Sequence, residues 1–215
     1  KLWKNTSLNW QNNMRKTILA IARNTFKETI RDRILYSLLA FAVIAIAGSW
    51  LAGSVSLGQE TRVIQNFGLT AMLVFLLVIT IFIGTQLVYR EVERKTIYMV
   101  LTKPVSRDAF YLGKFLGLAL TLTVVTAGMG AAFLGLVALK TNTVSAIQVV
   151  AIGLMLFEAW LLTAVGMLFS SFTAPLSSAI YTFCLALIGH ASTVLLAISE
   201  KSAPIVGSII QFVYY

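Results

Sequence analysis

Two residues with acid–base chemistry, Glu158 and His190, stand deep inside long apolar segments of this 215-residue chain. A carboxyl group beside an imidazole can pass a proton, hydrogen-bond a polar solute, or fix the packing of two helices. The two flank the short stretch "TAPLSS" at about 17 and 15 residues from its centre. At 1.5 Å rise per residue the difference is only ~3 Å, so helices on either side of that turn would bring them face to face. A charged side chain at mid-bilayer costs about 2.5–3.5 kcal/mol even on the gentler insertion scale, so Glu158 is expected to be protonated, to have a partner or to face a wet cavity. The pair has no nucleophile or metal ligand beside it in the sequence, which argues against catalysis. The chain has one cysteine, Cys184, and one histidine, with no Cys or Met cluster, so no metal site is expected. There is no H-E-x-x-H, no G-x-S-x-G and no aspartate cluster able to hold a magnesium diphosphate. The one Gly-Lys pair, Gly113-Lys114, lacks the glycine spacing of a phosphate loop and is followed by Phe115. An energy source, if the chain uses one, must lie on another polypeptide.

The segments that position the pair are built for lipid. With 58% hydrophobic and 12% charged residues and a mean hydropathy of +0.86, the chain falls outside the range of soluble domains. Apolar runs of the length needed to cross about 30 Å of hydrocarbon recur at 34–53, 67–89, 114–139, 148–172 and 178–199. The expected fold is therefore all-α, a polytopic transmembrane helix bundle with five visible spans. A cleaved leader is the competing reading of the first run, since Ala45 and Ala47 form an A-x-A pattern, but the charged region before it is too long.

The formal net charge of +9 is distributed by topology. Eight Lys and Arg precede the first span, six lie between Arg90 and Lys114, and three occupy the alternate loops. By the positive-inside rule, the N-terminus and the Arg90 segment are cytoplasmic, in a bacterial inner or other plasma membrane. No RNP-like or zinc-finger pattern accompanies the charge, so nucleic acid is not an expected partner. Residues 1–13 lack clear periodicity and read as an extension or unstructured arm. From 14 to 33, Ile18, Ile21, Ala22, Thr25, Phe26, Thr29 and Ile30 repeat at helical spacing opposite Arg23, Lys27, Glu28, Arg31 and Asp32. This is an amphipathic helix expected at the cytoplasmic interface, either as an anchor in the lipid bilayer or as a grip for a cytoplasmic partner. The outer loops are too short to form a domain, and Pro175 fits the first turn of the last helix. In the third span Ala119, Thr123, Ala127, Ala131 and Gly135 recur every four residues, a small-residue face for close helix packing within the subunit or at a dimer seam.

Between the second and third spans lies a densely charged island, "REVERKTIYMVLTKPVSR". Val92, Ile97, Val100 and Leu101 can share one face of a short helix that Pro104 ends, and Ser106 and Asp108 suit the start of the next. Joined to two spans, such a piece would transmit a push to both.

At Glu93, Thr96, Leu101, Pro104, Arg107, Gly113 and Lys114, and at the opening "AIARNTFKETIRDRILYSLLAF", the sequence resembles the ABC-2 permeases, membrane subunits of ATP-driven exporters. "FEAWLLTAVGMLFSSFTAPLSSA" is similar to the branch described as multicopper-enzyme maturation permeases, which includes the membrane subunit of nitrous-oxide reductase maturation. The resemblance implies that the island is a coupling helix docked in a groove of a separate cytoplasmic ABC ATPase, present in two copies. Glu91, Glu93, Arg94, Lys95, Thr96, Ile97, Val100, Leu101, Pro104 and Arg107 would form that joint. ATP and magnesium would be bound by the ATPase, with no cofactor in this chain. The partner across the membrane would be a second copy or a homologous permease. Members of the family generally have six spans, so residues 200–215 are expected to form an outer-face segment leading toward a sixth. The alternatives are a secondary or proton-coupled transporter using Glu158 and His190, and a membrane anchor for a cytoplasmic complex.

Overall fold

A computed structural model of the chain describes residues 2–54, 60–93, 107–141 and 145–201, with side chains for 14–54, 60–85, 108–140 and 145–191. The described residues form six helices: α1 (Leu2–Ile30), α2 (Arg33–Ser54), α3 (Glu60–Glu93), α4 (Arg107–Thr141), α5 (Ala146–Ser170) and α6 (Pro175–Lys201). Among them, Arg33–Ser54, Glu60–Thr85, Asp108–Lys140 and Ala146–Ser170 are long and apolar enough to cross a membrane, and Pro175–Ala191 is a shorter apolar stretch of α6. The architecture is a polytopic helical bundle.

Several helices extend beyond their apolar runs. α1 takes in residues 2–13, α3 starts at Glu60 and continues past Tyr89 to Glu93, and α4 starts at Arg107. The polar ends of α3 and α4 are thus continuous with membrane-length rods, because nothing in these stretches breaks the ladder of backbone hydrogen bonds. Breaks come where the chemistry requires them. Asp32 closes the gap between α1 and α2, its carboxylate accepting from the Ile34 amide at 3.0 Å. Ser145 and Gln148 form a reciprocal capping box at the start of α5. Pro175 is the first residue of α6, where its missing N–H leaves no bond unmade.

α3 is the central helix, packed against α2, α4, α5 and α6. Met72, Leu76, Ile79 and Ile83 of α3 meet Leu118, Leu122, Val125, Met129 and Phe133 of α4, with Leu35, Ala42 and Ile46 of α2 closing the core. Both stripes start with 4-3-4 spacing, the seam of helices that cross at a shallow angle. Phe133 is fully buried and lies over Gly68, where an added Cβ would sit 2.7 Å from the ring. At the ends predicted to be outer, Lys140 pairs with Glu60 at 3.6 Å and lies 5.6 Å from the centre of the Trp50 ring, joining α2, α3 and α4.

Candidate functional site: a polar seam and a docked interfacial helix

α5 and α6 are antiparallel neighbours joined by the turn at residues 171–174. Small and polar side chains recur along their contact: Glu158, Gly166 and Ser170 on α5, and Ser178, Thr182, Ala186 and His190 on α6 at four-residue intervals. Ser178 donates to the Gly166 carbonyl at 3.1 Å, Ser170 donates to the Thr85 carbonyl of α3 at 3.0 Å, and the Thr182 hydroxyl lies 3.6 Å from where a Cβ on Gly166 would stand. These short side chains let the backbones approach, and the approach fixes the register.

That register brings Glu158 and His190 together. Glu158 Oε1 lies 3.5 Å from His190 Nδ1, and the same nitrogen is 3.2 Å from the Ala186 carbonyl. Both neighbours of Nδ1 are oxygen atoms, so a hydrogen on that nitrogen would have an acceptor on either side. On its α3 side Glu158 borders a cavity of about 10 Å³ shared with Thr80, Leu76, Met155 and Leu162. That volume is at the lower limit for one water molecule. The side chains of His190 and Glu158 are 41% and 35% exposed, so the pair is at the rim of the α5–α6 contact and not sealed within it. It can hydrogen-bond a polar solute or exchange a proton. Glu158→Gln and His190→Gln keep hydrogen-bonding shape while removing the acid–base function. If the pair lines the transport path, each variant is expected to lower transport several-fold while still assembling, and normal transport by both would reduce the pair to a packing contact.

A second apolar feature lies nearer Pro175: a groove of about 580 Å³ between α3 and α6, lined by Val78, Ile81, Phe82, Thr85, Pro175, Leu176, Ala179, Ile180 and Phe183. Thr85 and the seam below it are its polar boundary.

The amphipathic helix has an unexpected seat. Ala22, Thr25 and Thr29 of α1 are buried, and Ile18, Ile21, Phe26 and Ile30 are half-buried. The surface that accepts this face is α4 at Gly113 and Gly117. A Cβ on Gly113 would lie 2.8 Å from Ile21 Cβ and 3.0 Å from the Ile18 carbonyl; on Gly117 it would lie 2.6 Å from the Ala22 carbonyl. Only glycine permits this approach, and the Gly-x-x-x-Gly spacing was the signal that could have located it. Between the glycines Lys114 is 3% exposed, with its ammonium group 5.8 Å from the centre of the Phe110 ring.

Among the described residues, the small-residue stripe of α4 packs within the chain at one end. Ala119 is buried and its carbonyl accepts from the Trp160 indole at 3.3 Å, and Thr123 is half-buried. Ala127, Ala131 and Gly135 are exposed, and no described atom would lie within 4 Å of a Cβ on Gly135. Of the expected coupling residues, Glu91 and Glu93 fall in the last turn of α3, and Arg107 opens α4. Arg94, Lys95, Thr96, Ile97, Val100, Leu101 and Pro104 lie outside the described residues.

A family model described as an ABC-2 family transporter protein matches residues 19–210. The chain belongs to the ABC-2 transporter family. Among similar relatives of this ABC-2 protein, a probable ABC transporter permease protein NosY of Pseudomonas aeruginosa is 30% identical over 168 residues, covering 75% of this chain and 59% of that protein. A protein of the same name from Stutzerimonas stutzeri is 32% identical over 121 residues, covering 54% of this chain and 44% of that protein. The chain therefore spans less than two thirds of the length of the curated relatives it matches. Its family and its apolar helices identify it as a multi-pass membrane protein.

Proposed function

We propose that this chain is the permease part of an ATP-driven ABC exporter, in which a separate cytoplasmic ABC ATPase supplies the force. The observation that carries the reading, beside the family match, is the clamp of α1 onto α4 at Gly113 and Gly117. A helix that would otherwise ride loosely on the inner face is tied to a membrane-length rod, so displacement at the inner face reaches the bundle. The polar ends of α3 and α4 that flank residues 94–106 are continuous with membrane-length helices, which is the connection a coupling helix needs. Two ATPase copies would bind the inner face of two permease subunits, the second being another copy or a homologue. ATP-driven closure of the ATPases would then move the two membrane halves relative to one another, with the N-terminus cytoplasmic in a plasma membrane.

In this reading Arg94, Lys95 and Arg107 make polar contacts with the ATPase, and Ile97, Val100 and Leu101 fill its groove. The path would follow α6, which carries one wall of the apolar groove and half of the Glu158–His190 pair. Copurification tests the reading. An ABC ATPase is expected to remain bound to the wild-type chain in detergent and to be lost from Arg94→Glu/Arg107→Glu, with transport falling at least tenfold. Retention of the ATPase by that variant, or transport by the permease without any ATPase, overturns it.

A further inference from the structure

The docking of α1 onto α4 decides what the rest of that helix faces. At about 100° per residue, Lys16, Arg23 and Lys27 of α1, and Arg31 just past its end with its amide donating to the Lys27 carbonyl at 3.3 Å, fall within an arc of about 80° and form a ridge about 22 Å long. All four are exposed, and they stand on the side of α1 away from Ala22, Thr25 and Thr29, the side chains buried on α4. Between the buried side and the ridge lie Leu19, Phe26 and Ile30, with the exposed Arg15 beside them; Leu19 is 67% exposed and the other two apolar residues are half-buried. Glu28, the one acidic residue between 14 and 31, lies about 60° round the helix from Arg31 and about 100° from Lys27, outside the line of the four.

We infer that this basic ridge is a seat for anionic phospholipid headgroups of the leaflet on which α1 lies. The apolar flank and the ridge are contiguous, which is the pattern of a helix lying in the membrane interface: apolar side chains reach the acyl boundary while Lys and Arg stay at headgroup level. The charge complementarity is direct, since four cations stand along one line with no carboxylate among them. Arg31 is two residues from the start of α2, a candidate membrane span, so the ridge ends at the membrane surface. A protein groove could also accept cations beside a leucine, and the fate of the ATPase in the variant below separates the two. The inference rests on the proposed function only in making the leaflet the cytoplasmic one. The ridge and its flank are independent of that assignment.

The test uses the full chain with its ATPase, reconstituted in vesicles of phosphatidylcholine with phosphatidylglycerol in both leaflets. A fluorophore is attached at Ala20→Cys, an exposed position on the ridge, in a Cys184→Ser background. Quenching by headgroup-labelled phosphatidylglycerol is compared with quenching by labelled phosphatidylcholine. Attraction of an anionic surface is worth about fivefold per basic side chain close to it, so a several-fold preference for phosphatidylglycerol is expected. It should shrink in high salt and approach unity in Lys16→Gln/Arg23→Gln/Lys27→Gln/Arg31→Gln. Equal quenching by the two lipids, or a preference that survives the fourfold change, overturns the inference. Loss of the ATPase from the fourfold variant with lipid preference intact would make the ridge a protein contact and overturn it equally. Because both leaflets have the same composition, a reversed topology would defeat the cytoplasmic assignment without hiding the lipid preference.

Discussion

Gly117→Leu is expected to lift α1 off α4 while the rest of the bundle remains inserted. At this position even the first added carbon would stand 2.6 Å from the Ala22 carbonyl and 2.6 Å from Thr25 Cβ. The first obstacle is backbone, which has no rotamer to move to, and the leucine adds three further carbons. Overpacking in an interior typically costs about 1–3 kcal/mol where the surroundings can yield. Here the simplest relief is separation of the two helices, because α1 is joined to the bundle through the short link at residues 31 and 32. Spin labels at the exposed positions Asn24 and Leu112 should report a longer and broader distance, and under the proposed coupling ATP turnover should no longer drive transport. Gly128→Leu is the control: nothing lies within 4 Å of a Cβ there, so the α1–α4 distance should not change. An unchanged distance in Gly117→Leu would mean that the glycine contact does not hold the interfacial helix, and the mechanical reading would lose its support.

Phe133→Ala should give the largest loss of stability among single core changes. The ring is fully buried in the core and lies against Gly68 of α3. Truncating a buried phenylalanine costs about 3–5 kcal/mol in soluble proteins. In a bilayer the exclusion of water contributes little between helices, so the loss comes mainly from dispersion contacts and the cavity left behind. A fall in thermal stability and in resistance to dissociation by dodecyl sulfate should be visible in detergent. Gly68→Leu should also destabilise, because its side chain would enter the ring's space. The double change Gly68→Leu/Phe133→Ala is then expected to be less damaging than the sum, since the leucine fills part of the vacated volume. Additive losses would show that the two positions do not share one packing site.

Particular residues show how far each level of description reaches. The Glu158–His190 contact was legible because a short turn leaves an antiparallel hairpin little freedom in register, and a 1.5 Å rise then determines which residues are level. Gly84, Gly166, Ser170, Ser178 and Thr182 tighten that hairpin against α3, yet their composition alone looks like that of any membrane helix. The amphipathic face of 14–33 was visible in its periodicity, but periodicity shows that a face will be covered and not what covers it. The sequence suggested lipid or a cytoplasmic partner; the side carrying Ala22, Thr25 and Thr29 is instead taken by α4. The α4 stripe is the reverse case. Four-residue spacing of Ala119, Thr123, Ala127, Ala131 and Gly135 marked a possible seam, while among the described residues the close glycine contacts lie at Gly53, Gly68, Gly84, Gly113, Gly117, Gly130 and Gly166.

From sequence alone came the membrane class, the helical architecture, the asymmetry of basic charge and the juxtaposition of Glu158 with His190. Each follows from a local rule, whether the length of an apolar run, the period of a helix or the reach of a short turn. Only the tertiary structure decided which face of each helix meets another, that α1 is seated on two glycines of α4, and that the basic ridge is left facing outward. In lipid all apolar faces look alike to the solvent, so the choice among them depends on shape at contact distances, and shape exists only once the helices have been brought together.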